Sequence, residues 1–244
     1  MRFVCISDVH GQYDKMMSAL QDANFNQSSD CLVSLGDLFD RGPQSKEILE
    51  YVMSLPNKIL LWGNHDSRLK EIIDLEISNW ADYFNGVEET FNSFLGYKEQ
   101  LLSESAKAIK QKDIYELLCK YFQECHYAAE FSDFIATHAW LPNALDWRTA
   151  SKKAWEHSLW TNVEEKIREK DFTNDKNLIV GHWHAFRVAQ LYRGVADYSN
   201  IDFNVFIANE EKDIIFIDGC SNYTYGGKVN TYVFEDNFEN ITLY

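Results

Sequence analysis

The chain is short of positive charge. Lysine and arginine together number 23 against 38 aspartate and glutamate residues, a formal net charge of −15 at pH 7. Nucleic acids and membrane surfaces are themselves negative, so this balance argues against general nucleic-acid or membrane-surface binding. An anionic substrate is still allowed, because acidic groups that hold cations reverse the sign locally. No apolar run approaches the roughly 20 residues needed to cross a bilayer. The opening Met1-Arg2-Phe3-Val4-Cys5-Ile6 is interrupted by Asp8 too soon to serve as a signal peptide, so a cytoplasmic location is expected. The five cysteines are odd in number and form no C-x-x-C pair, as expected of a reducing compartment. Cys5, Cys31, Cys119, Cys125 and Cys220 read as small apolar residues. There is no internal repeat, low-complexity tract or dividing linker, so the 244 residues are expected to form a single domain, 1–244.

What the chain does have is organised around Gly36-Asp37-Leu38-Phe39-Asp40-Arg41-Gly42. This stretch follows the apolar run Cys31 to Leu35, which reads as a buried strand. Asp37 then falls at the carboxyl end of that strand, where open α/β sheets place ligands. Asp40 comes a helical turn later, and Arg41 adds a planar cation suited to phosphate oxygens. The same arrangement occurs twice more. Arg2 to Ser7 reads as a strand ending in Asp8-Val9-His10-Gly11, and Lys58 to Trp62 as a strand ending in Gly63-Asn64-His65-Asp66. Helical periodicity follows from Asp14 to Ala23 and from Ser45 to Ser54. Three strand–helix units therefore deliver polar ligands at strand ends, in a largely parallel arrangement.

From about 68 to 123 the strand-like runs stop. Leu69 to Trp80, Val87 to Leu95, Ser103 to Lys110 and Ile114 to Phe122 carry helical periodicity and are expected to flank the sheet. The aromatic residues Trp80, Tyr83, Phe84, Phe91 and Phe94 in this segment read as core. Cys125 to Phe131 and Asp133 to Thr137 read as adjacent strands, the second ending in His138. Lys152 to Lys170 reads as broken helix. Leu178 to Val180 is a short strand before Gly181-His182-Trp183-His184. Ile214 to Asp218 and Val229 to Phe234 read as a closing antiparallel pair, joined by a segment containing Gly226-Gly227.

Asp8, His10, Asp37, Asn64, His138, His182 and His184 thus gather at strand ends. They offer carboxylate, imidazole and amide-oxygen ligands and no thiolate, which suits manganese, iron or zinc. Their number exceeds one tetrahedral site and suits two divalent or trivalent ions, with Asp37 as the shared carboxylate. Two ions about 3.5–4 Å apart clamp an in-line displacement and lower the pKa of a bridging water, so attack by that hydroxide needs no side-chain nucleophile. His65 is placed to protonate the leaving alkoxide, with Asp40 orienting its ring. Arg41 would neutralise phosphoryl oxygens. Asp66 reads as a cap of the next helix, Arg68 as a solvated helix residue, and His126 and His157 as ordinary.

These blocks, in this order, resemble the calcineurin-like metallophosphoesterases. Asp40-Arg41-Gly42 and Tyr225-Gly226-Gly227-Lys228-Val229-Asn230 look like the phosphoprotein phosphatase branch, which includes lambda-type protein phosphatases and symmetrical dinucleoside tetraphosphatases. The resemblance implies an α/β fold, a four-layer α-β-β-α metallophosphoesterase sandwich with a mixed central β-sandwich. It implies one ion on Asp8, His10 and Asp37 and another on Asp37, Asn64, His138 and His182, with manganese favoured in vitro. It also implies His65 and Asp40 as an acid pair and Arg41 as a phosphate clamp. The expected activity is phosphomonoester hydrolysis, with phosphoserine or phosphothreonine proteins as one substrate class; the alternative is a dinucleoside polyphosphate hydrolase of the Ap4A type. A phosphoesterase-like scaffold without turnover would have lost ligands or the acid pair, and this chain keeps them. The expected partner is a phosphoprotein, small phosphomonoester or nucleotide. The chain departs from the branch at Asp66, where glutamate is usual, and at His138-Ala139-Trp140, where His-Gly-Gly is frequent. His184 forms a Gly-His-x-His block and is a candidate additional ligand to the first ion. Leu159-Trp160-Thr161-Asn162 lacks the second arginine of protein phosphatases, leaving Arg148 or Arg187 as substitutes.

Overall fold

The computed structural model describes residues 1–98, 101–143, 146–169, 175–194, 201–208 and 212–244. Taken in order, its first part alternates strand and helix: Arg2–Ile6 (β1), Tyr13–Asp22 (α1), Cys31–Ser34 (β2), Ser45–Ser54 (α2), Lys58–Leu61 (β3) and Asn64–Leu75 (α3). Four helices follow, Trp80–Phe84 (α4), Val87–Leu95 (α5), Leu102–Ile109 (α6) and Asp113–Glu124 (α7). Then come Cys125–His126 (β4), Ala128–Glu130 (β5), Phe134–Thr137 (β6), Lys152–Ser158 (α8), Val163–Glu169 (α9), Asn177–Val180 (β7) and Ala185–Arg193 (α10). Four short strands close the order: Phe206–Ala208 (β8), Ile214–Phe216 (β9), Tyr232–Glu235 (β10) and Thr242–Leu243 (β11).

The strands form two sheets, one of five in the order β10-β1-β2-β3-β4 and one of six in the order β11-β5-β6-β7-β9-β8. Strand alternation sends successive side chains to opposite faces and so divides the apolar residues into three cores. Phe3, Cys5, Cys31, Val33, Ile59 and Leu61 of the first sheet meet Ala129, Ala136, Ile179 and Ile215 of the second between the sheets. Val4, Ile6, Leu32 and Leu60 face outward onto apolar residues of α1, α2, α3, α5, α6 and α7. Ile135, Leu178, Val180, Ile214 and Phe216 face outward onto α8, α9 and α10. Both sheets are covered on both faces, which is why their strands read as continuous apolar runs. The architecture is an α-β-β-α sandwich with both parallel and antiparallel pairs in each sheet.

Several elements differ from the sequence reading. The expected closing hairpin does not form. β9 pairs parallel to β7 in the six-stranded sheet, whereas β10 pairs antiparallel to β1 in the other. Each fills an edge that its own sheet would otherwise leave open, and the glycine-containing connection crosses between sheets. The run Cys125 to Phe131 likewise divides: β4 pairs with β3, and β5 pairs with β6 across the sandwich. β8 and β11, of three and two residues, were not anticipated. The helix expected over Leu69–Trp80 begins earlier, at Asn64, and ends at Leu75, where Glu76 takes φ 57°. Phe91 and Phe94 are core, but Trp80, Tyr83 and Phe84 are 78%, 39% and 88% exposed. Lys170, at the end of the expected broken helix, lies outside the described residues.

Candidate metal centre

β1, β2 and β3 are parallel neighbours, so the loops that follow them emerge side by side. Backbone hydrogen bonds hold the first two loops together: Asp8 N–H to Gly36 O (3.1 Å), His10 N–H to Asp37 O (3.0 Å) and Gly11 N–H to Leu38 O (2.9 Å). The third loop is tied to the second through Asp66. Its carboxylate accepts N–H bonds from Asp37 (2.7 Å), Leu38 (3.3 Å) and Gly63 (3.0 Å). The bond to Gly63 is the expected helix cap; the other two make Asp66 a link between motifs. Gly63 itself is required by space, since a Cβ there would lie 2.1 Å from Asp37 Oδ1.

The site is where backbone strain collects. Nine non-glycine residues among those described have positive φ, and six of them are Asp8 (53°), His10 (47°), Asp37 (54°), Asp40 (70°), Arg41 (67°) and His182 (62°). Left-handed conformations are costly for residues with a Cβ and persist where the surroundings over-determine them, commonly at functional sites.

The side chains converge. Two groups have one ligand atom from each member within 4.8 Å of the others: His10, Asp37 and His65, and Asp37, His138 and His182. Asp37 belongs to both; its Oδ2 lies 3.8 Å from His10 Nε2 and 3.5 Å from His138 Nε2. Asp8 Oδ1 is 3.9 Å from His10 Nε2, while its Oδ2 accepts the His182 N–H at 2.9 Å and the Ser7 hydroxyl. Two of the rings are oriented from behind. His10 Nδ1 donates to Phe39 O (2.9 Å) and His138 Nδ1 to Leu35 O (2.8 Å), which leaves both Nε2 lone pairs turned inward.

These atoms fit cations. His138 Nε2 faces the amide oxygen of Asn64 at 2.8 Å and is buried with it. With Nδ1 bonded to Leu35 O, Nε2 and the Asn64 oxygen make a buried pair that either a second ring proton or a shared cation can bridge. The protonation states agree. Burial, followed by Arg41 and His65, holds His10 well below the usual histidine range. Burial and His138 push His182 down to about 3. Burial alone would raise Asp37, but His138, His65, His10 and His182 outweigh it and hold the carboxyl below its usual range. An ionised carboxylate among imidazole nitrogens is a ligand set.

His65 behaves differently. Its Nδ1 lies 2.8 Å from Asp40 Oδ2, and its Nε2 is 3.2 Å from Arg41 Nη2. Burial opposes its charge, but Asp37 and Asp40 raise its pKa to about 9. A guanidinium can only donate, so Arg41 Nη2 bonds to Nε2 as acceptor, and a proton taken up at Nε2 would then face the guanidinium. Two donors facing one another make a seat for an anionic oxygen.

Other predicted candidates make contacts of their own. His184 Nε2 is 3.8 Å from Asp218 Oδ2 and belongs to neither group of converging atoms. Arg148 is tied to Glu130 and Asp175, and Arg187 lies 3.3 Å from Glu164. Arg68 is held by Asp82 and Glu71, not simply solvated.

Two residues escaped the sequence reading. Thr90, on α5 and fully buried, accepts the Asp40 N–H at 2.7 Å and donates to Asp40 Oδ1 at 2.9 Å. One turn earlier, Gly86 O accepts the Arg41 N–H at 3.2 Å, and a Cβ on Gly86 would lie 2.7 Å from Arg41 Cα. The start of α5 therefore braces the strained Asp40-Arg41 pair; no motif marks an isolated threonine in a helical pattern. Asp218 is buried, accepts the Cys220 N–H at 2.7 Å, and is pushed well up by burial and then by Asp8. Its place at the end of β9's apolar run was the same signal that marked Asp8 and Asp37.

The sequence matches the calcineurin-like phosphoesterase family over residues 1–186. Among curated proteins it is similar to the symmetrical bis(5'-nucleosyl)-tetraphosphatases of Salmonella typhimurium and Salmonella typhi, at 48% identity over 65 residues. That match covers 26% of this chain and 23% of each relative, so the chain spans less than a quarter of their length. Among solved structures it is similar to a putative diadenosine tetraphosphatase, with a TM-score of 0.59 and 17% identity, covering 100% of this chain and 92% of that one. A cold-active protein-tyrosine phosphatase of a psychrophilic Shewanella gives a TM-score of 0.55 and 16% identity over 97% of this chain and 76% of its own. A metallophosphoesterase from Sphaerobacter thermophilus gives 0.53 and 19% over 97% and 89%. At these identities the structural likeness concerns the fold.

Proposed function

The chain belongs to the calcineurin-like phosphoesterase family, and on that premise we propose that it is a metal-dependent phosphoester hydrolase with a two-cation centre. The observation that carries this reading is Asp37, whose carboxylate is common to both groups of converging ligand atoms. Asp8, His10 and Asp37 would hold one cation; Asp37, Asn64, His138 and His182 would hold the other. His184, with Nε2 3.8 Å from Asp218 Oδ2, is a further candidate ligand to the first cation. The donor set suits manganese, iron or zinc. Bound there, the ions would neutralise phosphoryl charge and supply hydroxide near neutral pH.

The chain's own residues do the rest. Arg41 binds a non-bridging phosphoryl oxygen and sets the phosphorus in line. His65, oriented by its Nδ1 bond to Asp40, donates its Nε2 proton to the departing oxygen. Water adds to phosphorus, the P–O bond to the leaving group breaks, and the products are an alcohol and phosphate. α3 begins at Asn64, so the positive end of its dipole lies at the site and favours the Asp37 carboxylate, which accepts the His65 N–H at 2.9 Å.

Phosphomonoesters, phosphoserine and phosphothreonine proteins among them, are the first substrate reading. A dinucleoside polyphosphate is the second, favoured by similarity of part of the chain to symmetrical tetraphosphatases. The five cysteines are all free, which supports placing the enzyme in the cytoplasm. The test is a panel of aryl phosphates, phosphopeptides, diesters and dinucleoside polyphosphates, given to metal-stripped protein with and without Mn(II). Metal-dependent release of phosphate or nucleotide from at least one class is expected. No turnover of any class with the metal restored would refute the reading.

A further inference from the structure

The candidate ligands come from both sheets. Asp8, His10, Asp37 and Asn64 follow β1, β2 and β3 of the five-stranded sheet, whereas His138 and His182 follow β6 and β7 of the six-stranded one. The connection from β9 to β10 crosses between those sheets and touches both halves of the site on its way. Asp218 O accepts the Ala185 N–H at 2.8 Å, three residues past His182. The fully buried Ser221 directs its hydroxyl to Asp8 O at 2.5 Å, with Val9 O at 3.0 Å. Those carbonyls belong to the two peptide groups that join Asp8 to His10, both of which hold positive φ.

The connection is itself held by one side chain. Lys15, half-buried on α1, donates from Nζ to Ser221 O (2.6 Å), Gly227 O (2.7 Å) and Tyr223 O (3.3 Å). An ammonium has three protons and no acceptor, so three converging carbonyls satisfy it in full. These partners lie 206 to 212 residues away in sequence, so the contact is a tertiary brace and not a solvated helix charge. Tyr223 N–H to Cys220 O (2.8 Å) and Lys228 N–H to Gly219 O (3.0 Å) fold the segment around the ammonium. Gly227 is needed for that fold, since a Cβ there would lie 2.1 Å from Cys220 O.

We propose that Lys15 and Ser221 are positioning residues for the first cation, a clasp that keeps Asp8 and His10 in their strained conformations. The inference rests on the two-cation reading and adds which distant parts of the chain set the first site. Left-handed conformations outside glycine persist where the surroundings over-determine them. The N–H groups of Asp8 and His10 are bonded to the Asp37 loop, and the carbonyls between them to Ser221. Removing the second set frees the stretch to relax. Among the described residues, neither Lys15 nor Ser221 hydrogen-bonds Asn64, His138 or His182, so the second cation keeps its own ligands in place.

Lys15→Met, Ser221→Ala and the double variant test this by calorimetric titration of the metal-stripped full chain with Mn(II). Asp8→Asn marks which binding step belongs to the first cation. Each single variant is expected to weaken that step roughly tenfold and to leave the other as in the parent. The double variant should lose little more than either single one, because both act through one chain of contacts. Equal weakening of both steps, no weakening, or additive losses would overturn the clasp. Hydrogen exchange of the stripped proteins reads the clasp without metal. Residues 7–12 are expected to exchange faster in both single variants, and exchange as slow as the parent's would overturn it. A parent that binds one ion or none refutes the two-cation reading alone, and exchange then still decides the clasp.

Discussion

Replacing His65 by asparagine separates proton donation from every other duty of the site. The imidazole is the group that bonds Asp40 and faces Arg41. The hydrogen bond from residue 65 to Asp37 is a backbone one, His65 N–H to Oδ1, and asparagine keeps it. Metal content should therefore be unchanged. A positioned general acid contributes about 10²–10⁴-fold, or roughly 3–5 kcal/mol of barrier. That whole factor should be lost for an alkyl phosphate, whose alkoxide cannot leave unprotonated. A nitrophenolate leaves without help, so p-nitrophenyl phosphate should lose less than about tenfold in kcat. The assay is kcat for both esters, with metal analysis of each protein. Equal losses on the two esters, or no loss on the alkyl ester, would remove His65 as the acid.

Two further perturbations follow from the same geometry. Thr90→Val strips Asp40 of a donor and an acceptor in a buried place, at about 1–3 kcal/mol per unpaired group. Urea denaturation should show that loss, alkyl phosphate turnover should fall further than nitrophenyl phosphate turnover, and Thr90→Ser should recover both; equal behaviour of Val and Ser variants would contradict the brace. Glu130 is bonded by Arg148, Tyr244 and Lys176, and these partners, Arg148 foremost, hold its carboxyl down to about 2 against the opposing effect of burial. Its folded pKa lies below its unfolded one, so its contribution is complete above about pH 4.5 and is lost as pH falls toward 2. The amount is at most about 3 kcal/mol, reduced by solvent at Arg148, whose side chain is 30% exposed. Glu130→Gln should accordingly flatten the fall in urea midpoint over that acid range; a fall as steep as the parent's would contradict it.

Much of the candidate site was legible because each candidate ligand sits against a strand end. An apolar run that stops at Asp8, Asp37 or Asn64 places the next side chain in a crevice by local geometry alone, and parallel neighbours then bring the crevices together. The three cores were not read from the sequence, though alternation along β1 sends Phe3 and Cys5 one way and Val4 and Ile6 the other. What escaped depends on partners distant in sequence. Nothing local says that β9 and β10 part to different sheets, because a glycine-containing connection between apolar runs is also a hairpin signal. Cys125 to Phe131 has the composition of one strand, and only the gap between two sheets divides it. Thr90 carries no pattern of its own; its role appears only where α5 meets Asp40. Trp80 and Phe84 showed that apolar composition in a helical pattern does not by itself place a side chain in a core.

The account stands on the sharing of Asp37 between two cations. Its most direct test is metal stoichiometry, measured by elemental analysis and calorimetric titration with Mn(II) on stripped parent protein and on Asp37→Asn. Two ions per chain are predicted for the parent, with both weakened together in the variant. A parent that takes up one ion or none, or a variant that still fills both sites as tightly, would contradict it.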